Sequence, residues 1–414
     1  MSKTEMPSIR FYGFDNDWEQ RKLGELFESL QNNTLSRADL STEQGNAKNV
    51  HYGDILVKYG EVLNVSEEEL PMIADAAVIT KYKSSFLQNG DVIVADTAED
   101  ETVGKCTEIA GLQEEIVISG LHTIPYRPLS KFASGYLGYY MNSAAYHNQL
   151  LPLMQGIKVT SISKSAMQNT DIVYPKSVDE QKQIGEYFRN LDNLITLHQR
   201  KFEKLTNVKK SMLEKMFPQN GSCYPAVRFK GFTGPWERRK FGDVFEEYSE
   251  KNRADLPPLT IIQGSGTIRR DESERALQYD KASLSNYKVV NEGDLIVHLR
   301  SFEGGLEKAN SQGIISPAYH TFHGESVDSR FYYTYFRSKN FIDTDLKPHV
   351  YGIRDGRSID IEGMKTIEIP FTSYPEQKLI GDAIDSINTL ISLQRRELEK
   401  LQSIKKSLLE KMFV

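Results

Sequence analysis

The chain has few cysteines, no long apolar run and no excess of positive charge. Its 414 residues include two cysteines, Cys106 and Cys223, whose wide separation excludes a disulfide framework and a cysteine-only zinc site. No apolar stretch approaches the roughly 18 residues of a membrane span, and the polar N-terminus lacks the apolar segment of a secretory signal. The net charge of −6 argues against a protein that coats nucleic acid by bulk charge alone. We therefore expect a reduced, cytoplasmic protein.

Motifs of catalysis and metal binding are also scarce. The segment that begins at Gly264 resembles the start of a dinucleotide-binding loop, but it lacks the third glycine and a βαβ context. The sequence LPPL at residues 256–259 resembles the Pro-Pro corner of amino-methyltransferases without its flanking Asp or Asn and its aromatic residue. His320 and His323 would need further metal ligands that the sequence does not offer. We expect no catalytic residue and no metal site on this chain.

What the sequence does contain is an internal repeat. IRFYGFDNDWEQRKLGELFE at residues 9–28 returns as VRFKGFTGPWERRKFGDVFE at residues 227–246, and the two tryptophans of the chain coincide. A second pair, residues 180–217 and 376–413, is identical at 20 of 38 positions with an offset of 196. The chain is therefore a short repeat, a long divergent segment and a long repeat, all of which then recur.

The two copies of the long repeat are predicted to be amphipathic helices. They contain no proline, are rich in Leu, Lys, Glu and Ile, and carry apolar residues at intervals of three and four, as a coiled-coil seam requires. A Ser-x-x-Glu sequence at Ser177 and again at Ser373 predicts a capping box at each helix start. The predicted seam consists of Leu191, Ile195, His198, Phe202, Leu205 and Met212 in the first copy, and Ile387, Ile391, Gln394, Leu398, Leu401 and Leu408 in the second.

Helices of this kind are unstable alone in water, because their apolar stripe needs a partner. The nearest partner for each helix is the other copy. An antiparallel pair would have a pseudo-two-fold axis near the helix midpoints, beside the matched polar residues His198 and Gln394. Two interpretations stay open: these side chains meet near the axis and fix the register, or they lie on the wet edge of the seam.

The two divergent segments mix short strands, turns rich in Gly, Asn and Pro, and a few short helices. A Gly-Asp pair before an apolar run at residues 53–57, 90–94 and 293–297 predicts three turns that open buried strands. Aromatic residues recur at helical spacing in residues 136–150 and 331–342. This spacing predicts helices of the core rather than platforms on which bases stack.

Two loops of the divergent segments align at the offset of 196, QGIKVTS at residues 155–161 and YGIRDGRS at residues 351–358. A glycine followed by basic and small polar residues lets the backbone approach a phosphate and presents side chains to base edges. Arg354 and Arg357 are the best candidates for forked contacts to guanine. For each basic residue outside the loops, an ordinary surface charge is the simpler explanation. The candidate DNA-binding residues are Lys58, Lys81, Lys83, Gln155, Lys158, Thr160, Ser161, Arg269, Arg270, Arg300, Tyr351, Arg354, Arg357 and Ser358.

With these motifs the chain resembles the specificity subunit of a type I restriction-modification system. The resemblance rests on the duplicated IRFxGF opening with its tryptophan, the paired EQKxIG…KKSxLEKMF helices and the GIRDGRS loop, and it covers nearly the whole chain. It implies an α+β fold in which a long antiparallel two-helix coiled coil joins two mixed α/β target-recognition domains with pseudo-two-fold symmetry. We place these domains at residues 1–170 and 219–366, and the two spacer helices at residues 171–218 and 367–414.

The resemblance also implies a function and partners. Each target-recognition domain would read one half of a bipartite site on double-stranded DNA, and the helices would space the two domains. The subunit itself would not be catalytic, and it would dock two methyltransferase subunits that methylate adenine at N6 with S-adenosylmethionine. Two restriction subunits would add ATP and Mg²⁺, and no cofactor would bind this chain.

Two other classes of function remain open from the sequence. An enzyme would need a cofactor loop or a carboxylate cluster of its own. A coiled-coil scaffold that does not read DNA would bind only protein through the helices.

Overall fold

The fold comes from a computed structural model, which describes residues 6–219, 221–273, 281–298, 300–352 and 357–414. The chain divides into two compact units. Unit 1 comprises Met1–His198 together with Arg396–Val414, and unit 2 comprises Gln199–Arg395. Each unit therefore contains one part of each long helix. The domain bounds given above stay a prediction.

Unit 1 is built around a mixed five-stranded sheet. Its strands follow the spatial order Phe27–Ser29, Thr123–Pro128, Val92–Ala95, Cys106–Ala110 and Val62–Asn64, and the last two are parallel. The central strand Val92–Ala95 is fully buried, as its unbroken apolar sequence predicts. A three-stranded sheet contains Met72–Ile73, Ala47–Val50 and Val117–Ser119. Two-stranded pairs join Glu19–Lys22 with Asp171–Tyr174, and Thr97–Ala98 with Thr160–Ser161.

The short helices of unit 1 pack on these sheets. Every residue of helix Tyr136–Met141 is buried, so the prediction that these aromatic residues belong to the core is confirmed. The other α-helices are Leu23–Leu26, Tyr52–Val57, Ala76–Lys81, Ala144–His147 and Lys164–Gln168, and the 3₁₀ turns are Arg37–Asp39, Lys83–Ser85 and Leu151–Leu153.

The prediction of a strand at residues 53–57 of unit 1 is wrong. Residues 53–57 belong to helix Tyr52–Val57, in which the Nδ1 atom of His51 accepts a hydrogen bond from the Gly53 N–H at 3.2 Å. The equivalent Gly-Asp sequences do precede strands Val92–Ala95 and Leu295–Val297, as predicted. A five-residue apolar run is too short for its periodicity to distinguish a strand from a helix, and here the side-chain cap from His51 favours the helix.

Unit 2 repeats this plan with less sheet. Its largest sheet among the described residues has four strands, in the spatial order Glu246–Tyr248, His320–His323, Leu295–Val297 and Glu307–Lys308. The two-stranded pairs are Glu237–Lys240 with Glu368–Phe371, Leu259–Ile262 with Gly266–Arg269, Lys288–Val290 with Gly313–Ile315, and Val350–Tyr351 with Ser358–Ile359. The short helices and turns are Phe241–Val244, Arg270–Glu272, Lys281–Asn286, Ser301–Gly304, Ser329–Phe336, Phe341–Leu346, Lys347–His349 and Ile361–Lys365.

The two long helices extend over Val178–Lys215 and Tyr374–Lys411, 38 residues each. Within unit 1, Lys405 of the second helix forms an ion pair of 2.6 Å with Asp192 of the first. Phe413, just beyond the second helix, stacks on Phe188 with 5.8 Å between the ring centroids. Later residues at the end of the second helix thus lie beside earlier residues of the first, so the two helices are antiparallel in this unit. The predicted fold class is confirmed.

All twelve predicted seam residues are buried or half-buried. Leu191, Leu401 and Leu408 contribute to the core of unit 1, and Met212 contributes to the core of unit 2. His198 belongs to unit 1 and Gln394 to unit 2, and their predicted meeting stays a prediction.

The short repeat and the start of the long helix meet in a buried cluster, which we call the latch. In unit 1, Arg10 donates two hydrogen bonds to the Glu180 carboxylate, at 2.6 and 2.8 Å, and the indole N–H of Trp18 donates a third at 3.3 Å. Glu180 is 1% exposed. The Ser177 hydroxyl accepts from the Glu180 N–H, one half of the predicted capping box, but the carboxylate turns to Arg10 instead of back to the cap.

Unit 2 contains the same latch. Arg228 donates to the Glu376 carboxylate at 2.6 and 2.8 Å, and the indole N–H of Trp236 donates at 3.1 Å. The next residue of each helix is also buried: the Gln181 amide accepts from the Ala133 N–H, and the Gln377 amide accepts from the Asp328 N–H. The repeated Arg, Trp and Glu-Gln therefore attach each long helix to its own unit.

Candidate functional site

Most of the residues predicted in the two aligned loops lie at one corner of a sheet in each unit. In unit 1 the central strand Val92–Ala95 pairs with Thr123–Pro128 so that Ala95 faces Thr123. At this edge the chain leaves the first strand and enters the second. Asp96, Thr97 and His122 lie at this edge, together with the hairpin of residues 155–161. We call this group corner 1.

The hairpin of corner 1 is closed by its own backbone. Gln155 and Ser161 exchange two N–H···O=C hydrogen bonds of 2.9 and 2.8 Å, and Thr160 pairs with Ala98 on the neighbouring strand. Gln155, Lys158 and Ser161 are exposed and Thr160 is half-buried. The structure thus brings these four predicted residues together on one projecting hairpin.

Corner 1 also contains polar residues that the sequence analysis missed. The Thr97 hydroxyl donates to Asp96 at 2.7 Å, and the same carboxylate lies 3.4 Å from Nδ1 of His122. The Tyr52 ring meets the His122 ring edge-on, with 5.3 Å between centroids. Next to Tyr52, burial and the Arg37 charge lower the pKa of His51 below its usual value. Corner 1 therefore contains acidic, imidazole and aromatic side chains together with Lys158, the cation of the hairpin.

Corner 2, in unit 2, is built at the same end of the equivalent strand. Val297 faces His320 across the sheet, His298 follows the strand, and the loop pairs Tyr351 with Ser358 in a hairpin. The guanidinium carbon of Arg357 lies 5.7 Å from the Phe302 ring centroid. Tyr351, Arg357 and Ser358 are exposed, so three predicted residues stand together here.

His298 is a half-buried residue of corner 2 whose Nε2 atom is buried. Its Nε2 atom has no hydrogen-bond partner within the described part of the chain. It lines a cavity of about 50 Å³ with His320 and Ser358. Burial, with the charges of Arg337 and Arg300, lowers the pKa of His298 to about 4. The ring is therefore neutral at pH 7. Because its Nδ1 atom accepts a hydrogen bond from the backbone N–H of Arg300, the proton lies on Nε2, which is a neutral donor.

The remaining predicted cations of unit 1 lie on other elements. Lys58 follows helix Tyr52–Val57, and its ammonium donates to the Glu69 carbonyl at 2.6 Å. Lys81 ends helix Ala76–Lys81, with its ammonium 5.1 Å from the Tyr82 ring centroid, and Lys83 lies in the following turn. This helix packs on the three-stranded sheet. The structure does not bring Lys81 and Lys83 to corner 1.

In unit 2, Arg300 adjoins corner 2 and two other arginines do not. Arg300 precedes helix Ser301–Gly304, which contacts strand Ser358–Ile359, and its N–H donates to Nδ1 of His298 at 3.2 Å. Arg269 is paired with Asp271 at 2.8 Å, and Arg270 lies with its guanidinium carbon 5.2 Å from the Tyr287 ring centroid. Arg354, one of the two best candidates for base reading, lies outside the described residues.

The described residues contain no group of three or more His, Cys, Asp or Glu side chains that could hold a metal ion. Over the same ranges, no helix combines the length and the apolar character needed to cross a bilayer.

Comparisons with known proteins converge on one family. Residues 15–207 match the family model of the type I restriction modification DNA specificity domain. A Methanocaldococcus jannaschii protein, named as the proposed specificity subunit of type I restriction enzyme MjaX, is 23% identical over 98% of this chain and 94% of its own. The specificity subunit of type I restriction enzyme MjaVIII from the same organism is 26% identical over 62% of this chain and 64% of its own.

One solved structure supports the fold. The S subunit of a type I restriction-modification system from M. genitalium covers 99% of this chain and 99% of its own, with a TM-score of 0.60 and 12% identity. The two chains share the fold.

Proposed function

We propose that this chain is the sequence-specific DNA-recognition subunit of a type I restriction-modification system, because residues 15–207 match the family model of the type I restriction modification DNA specificity domain. Unit 1 reads one half of a bipartite site through corner 1, and unit 2 reads the other half through corner 2. The paired long helices set the gap between the two half-sites. The subunit carries no catalytic residue and no cofactor of its own.

One observation carries this proposal: the two corners have the same position in a repeated architecture but different side chains. Corner 1 presents Asp96 and His122, whereas corner 2 presents His298 and Arg357. Side chains that differ in charge and hydrogen-bonding groups favour different base pairs in the major groove. A repeated scaffold with unlike corners suits a target with two unlike halves.

Exposed apolar residues on the long helices support the proposed protein partners. Leu194 and Leu197 in unit 1 are 44% and 47% exposed, and Leu390 and Leu393 in unit 2, at the offset of 196, are each 46% exposed. Large apolar side chains exposed one helical turn apart are typical of surfaces that bind protein. We propose that each pair binds one methyltransferase subunit, which methylates adenine at N6 with S-adenosylmethionine.

Further partners complete the system. We propose that two restriction subunits, with ATP and Mg²⁺, join the complex in the cytoplasm.

Methylome sequencing of a host with and without this gene tests the function. We expect one bipartite N6-methyladenine motif that is present with the gene and absent without it. The purified chain alone should transfer no methyl group from labelled S-adenosylmethionine. Identical methylomes in the two hosts, or transfer by the chain alone, would contradict the proposal.

Deleting one heptad from each long helix tests the role of the helices. At 1.5 Å per residue, seven residues correspond to about 10 Å, or roughly three base pairs. We expect both half-sites of the motif to be retained and the gap between them to shorten by about this amount. An unchanged gap in the methylome would show that the helices do not measure it. A deletion of seven residues from only one helix is the control for loss of pairing.

A further inference from the structure

The hairpin of corner 1 presents an aliphatic side chain at its tip. Ile157 is 101% exposed and Val159 is 54% exposed. Single apolar residues scattered on a surface are ordinary and need no explanation. Ile157 differs from these because it projects between the exposed polar residues of the proposed DNA-reading hairpin, next to Lys158.

The backbone fixes the position of this side chain. Gly156 has φ 122°, and a Cβ atom there would lie 2.0 Å from the carbonyl oxygen of Val159, so the turn requires glycine. The two backbone hydrogen bonds between Gln155 and Ser161 hold the base of the hairpin. Ile157 is β-branched and has few rotamers. A rigid apolar tip therefore loses little conformational entropy when it is covered.

The internal repeat indicates which part of the DNA the Ile157 side chain contacts. Gly-Ile followed by a basic residue occurs at residues 156–158 and again at residues 352–354, although most residues around the two tripeptides differ. In the second copy, residues 353 and 354 lie outside the described residues. If the two units read unlike half-sites, a tripeptide common to both serves what the half-sites share. Those common features are the sugar-phosphate backbone and the base stack.

We propose that Ile157 is an apolar wedge that inserts at one base step of the first half-site, while Lys158 binds a neighbouring phosphate. Isoleucine is among the side chains that proteins insert between base pairs, partly unstacking a step and bending the duplex. Such a contact adds affinity without selecting a base. This inference rests on the proposed function, because it requires that corner 1 binds DNA.

The test uses the full chain assembled with its methyltransferase subunits, in four forms. They are the wild type, Ile157→Ala, Lys158→Ala and Leu129→Ala. Leu129 is a matched control, because it is 65% exposed and follows the far end of the strand Thr123–Pro128 that starts at corner 1. The methylome of each form gives its motif. A duplex that carries the wild-type motif, with 2-aminopurine at successive steps of the first half-site, gives affinity and local unstacking.

For Ile157→Ala we expect an unchanged motif, about tenfold weaker binding and loss of the fluorescence rise at one step. A tenfold change in affinity corresponds to the free energy of burying between one and two methylene groups. Lys158→Ala should keep the fluorescence rise and lower the salt dependence of binding by about one phosphate contact. Leu129→Ala should match the wild type in all three measurements.

Three results would overturn the wedge. A motif that becomes degenerate at one position would mean that Ile157 reads a base, such as a thymine methyl group. A lower yield of assembled complex with unchanged DNA affinity would make it a protein contact. No change in any measurement would remove the role altogether. A wild-type complex without any motif would instead defeat the proposed function, which keeps the two failures separate.

Discussion

Unit 1 and unit 2 hold their long helices with the same latch but surround an equivalent lysine differently. In unit 1, Lys405 forms ion pairs with Glu61 at 2.8 Å and with Asp192 at 2.6 Å. Burial lowers the pKa of Lys405, but the two carboxylates more than offset this effect, and the pKa lies above its usual value. Lys209 occupies the same repeat position in unit 2.

Lys209 has no ion pair within the described residues, and both burial and the Arg337 charge lower its pKa. The counterpart of Asp192 in the repeat is Asn388. Lys209 also lines a cavity of about 1020 Å³, against about 460 Å³ beside Lys405. The repeat therefore preserves the contacts that attach the helices. The charge around Lys405 and Lys209 differs through Asp192 and Asn388 within the helices themselves and through neighbours from the divergent segments, such as Glu61.

Breaking a latch is expected to lower the unfolding free energy more than any other change proposed below. Glu180→Gln and Glu376→Gln each leave a largely buried arginine without its anion, which costs about 3–5 kcal/mol of unfolding free energy. Because each carboxylate accepts two hydrogen bonds from its arginine and one from its tryptophan, we expect losses of similar size. Urea denaturation followed by tryptophan fluorescence measures them, since each latch contains one tryptophan. Glu25→Gln, on an exposed ion pair, is the control. A large loss in only one variant would mean that the latches are not equivalent.

The two equivalent lysines, Lys405 and Lys209, are expected to differ in how much they stabilise the fold. Lys405→Met leaves two partly buried carboxylates facing each other, and we expect it to lower the unfolding free energy by about 2–3 kcal/mol. Lys209→Met removes a cation without an ion pair, and we expect a change within about 0.5 kcal/mol. Thermal and urea denaturation of the two variants measure the difference. Equal losses would refute the contrast between the two environments.

The loop cations of the two corners, Lys158 and Arg354, are expected to contact different parts of the DNA. If Arg354 makes a forked contact to guanine, Arg354→Ala should lower discrimination by about 2 kcal/mol at one base pair of the second half-site. Lys158→Ala should instead weaken binding to all sequences alike. Competition binding with single-base variants of the motif measures both. A uniform loss for Arg354→Ala would make it a phosphate contact.

The smallest effect concerns pH and distinguishes unit 1. Glu108 is buried and accepts hydrogen bonds from the N–H groups of Gly135 and Gly138 at 2.6 and 3.0 Å. Burial raises the pKa of Glu108 to about 7, and these hydrogen bonds act against that shift. The folded state then binds the proton more tightly than the unfolded state. The unfolding free energy therefore falls by about 1 kcal/mol as pH rises from 6 to 8.

Urea denaturation of the wild type and Glu108→Gln at pH 6, 7 and 8 checks this. The variant should lack this part of the pH dependence. A wild-type unfolding free energy that rises over the same pH range would contradict the assigned shift.

Much of the scaffold was predictable because it is repeated. The long repeats at 180–217 and 376–413 predict helices within two residues of those observed at each end. The latch was not predictable, because Arg10 and Glu180 are 170 residues apart and meet only through tertiary folding. The Ser-x-x-Glu pattern instead suggested that Glu180 closes a local cap. Sequence spacing alone does not choose between two hydrogen-bond partners for one carboxylate.

The candidate site was predictable only in part. The aligned glycines located both hairpins, since the turns need glycine where other residues are strained. The groups that strand pairing adds, such as His122 and His298, were missed. A usable signal existed for His298, which directly follows the apolar run after Gly293. Its burial and neutral ring depend on neighbours from three other segments, and no local pattern contains that information.

The division of the long helices between the units also has a consequence for biosynthesis. Unit 2 is one continuous stretch, whereas the core of unit 1 includes Met412 and Phe413, which are translated after all of unit 2. Unit 1, whose larger part is translated before unit 2, is therefore completed after it. A nonsense mutation after codon 395 would spare every residue of unit 2, yet it would leave the hydrophobic interior of unit 1 open to solvent.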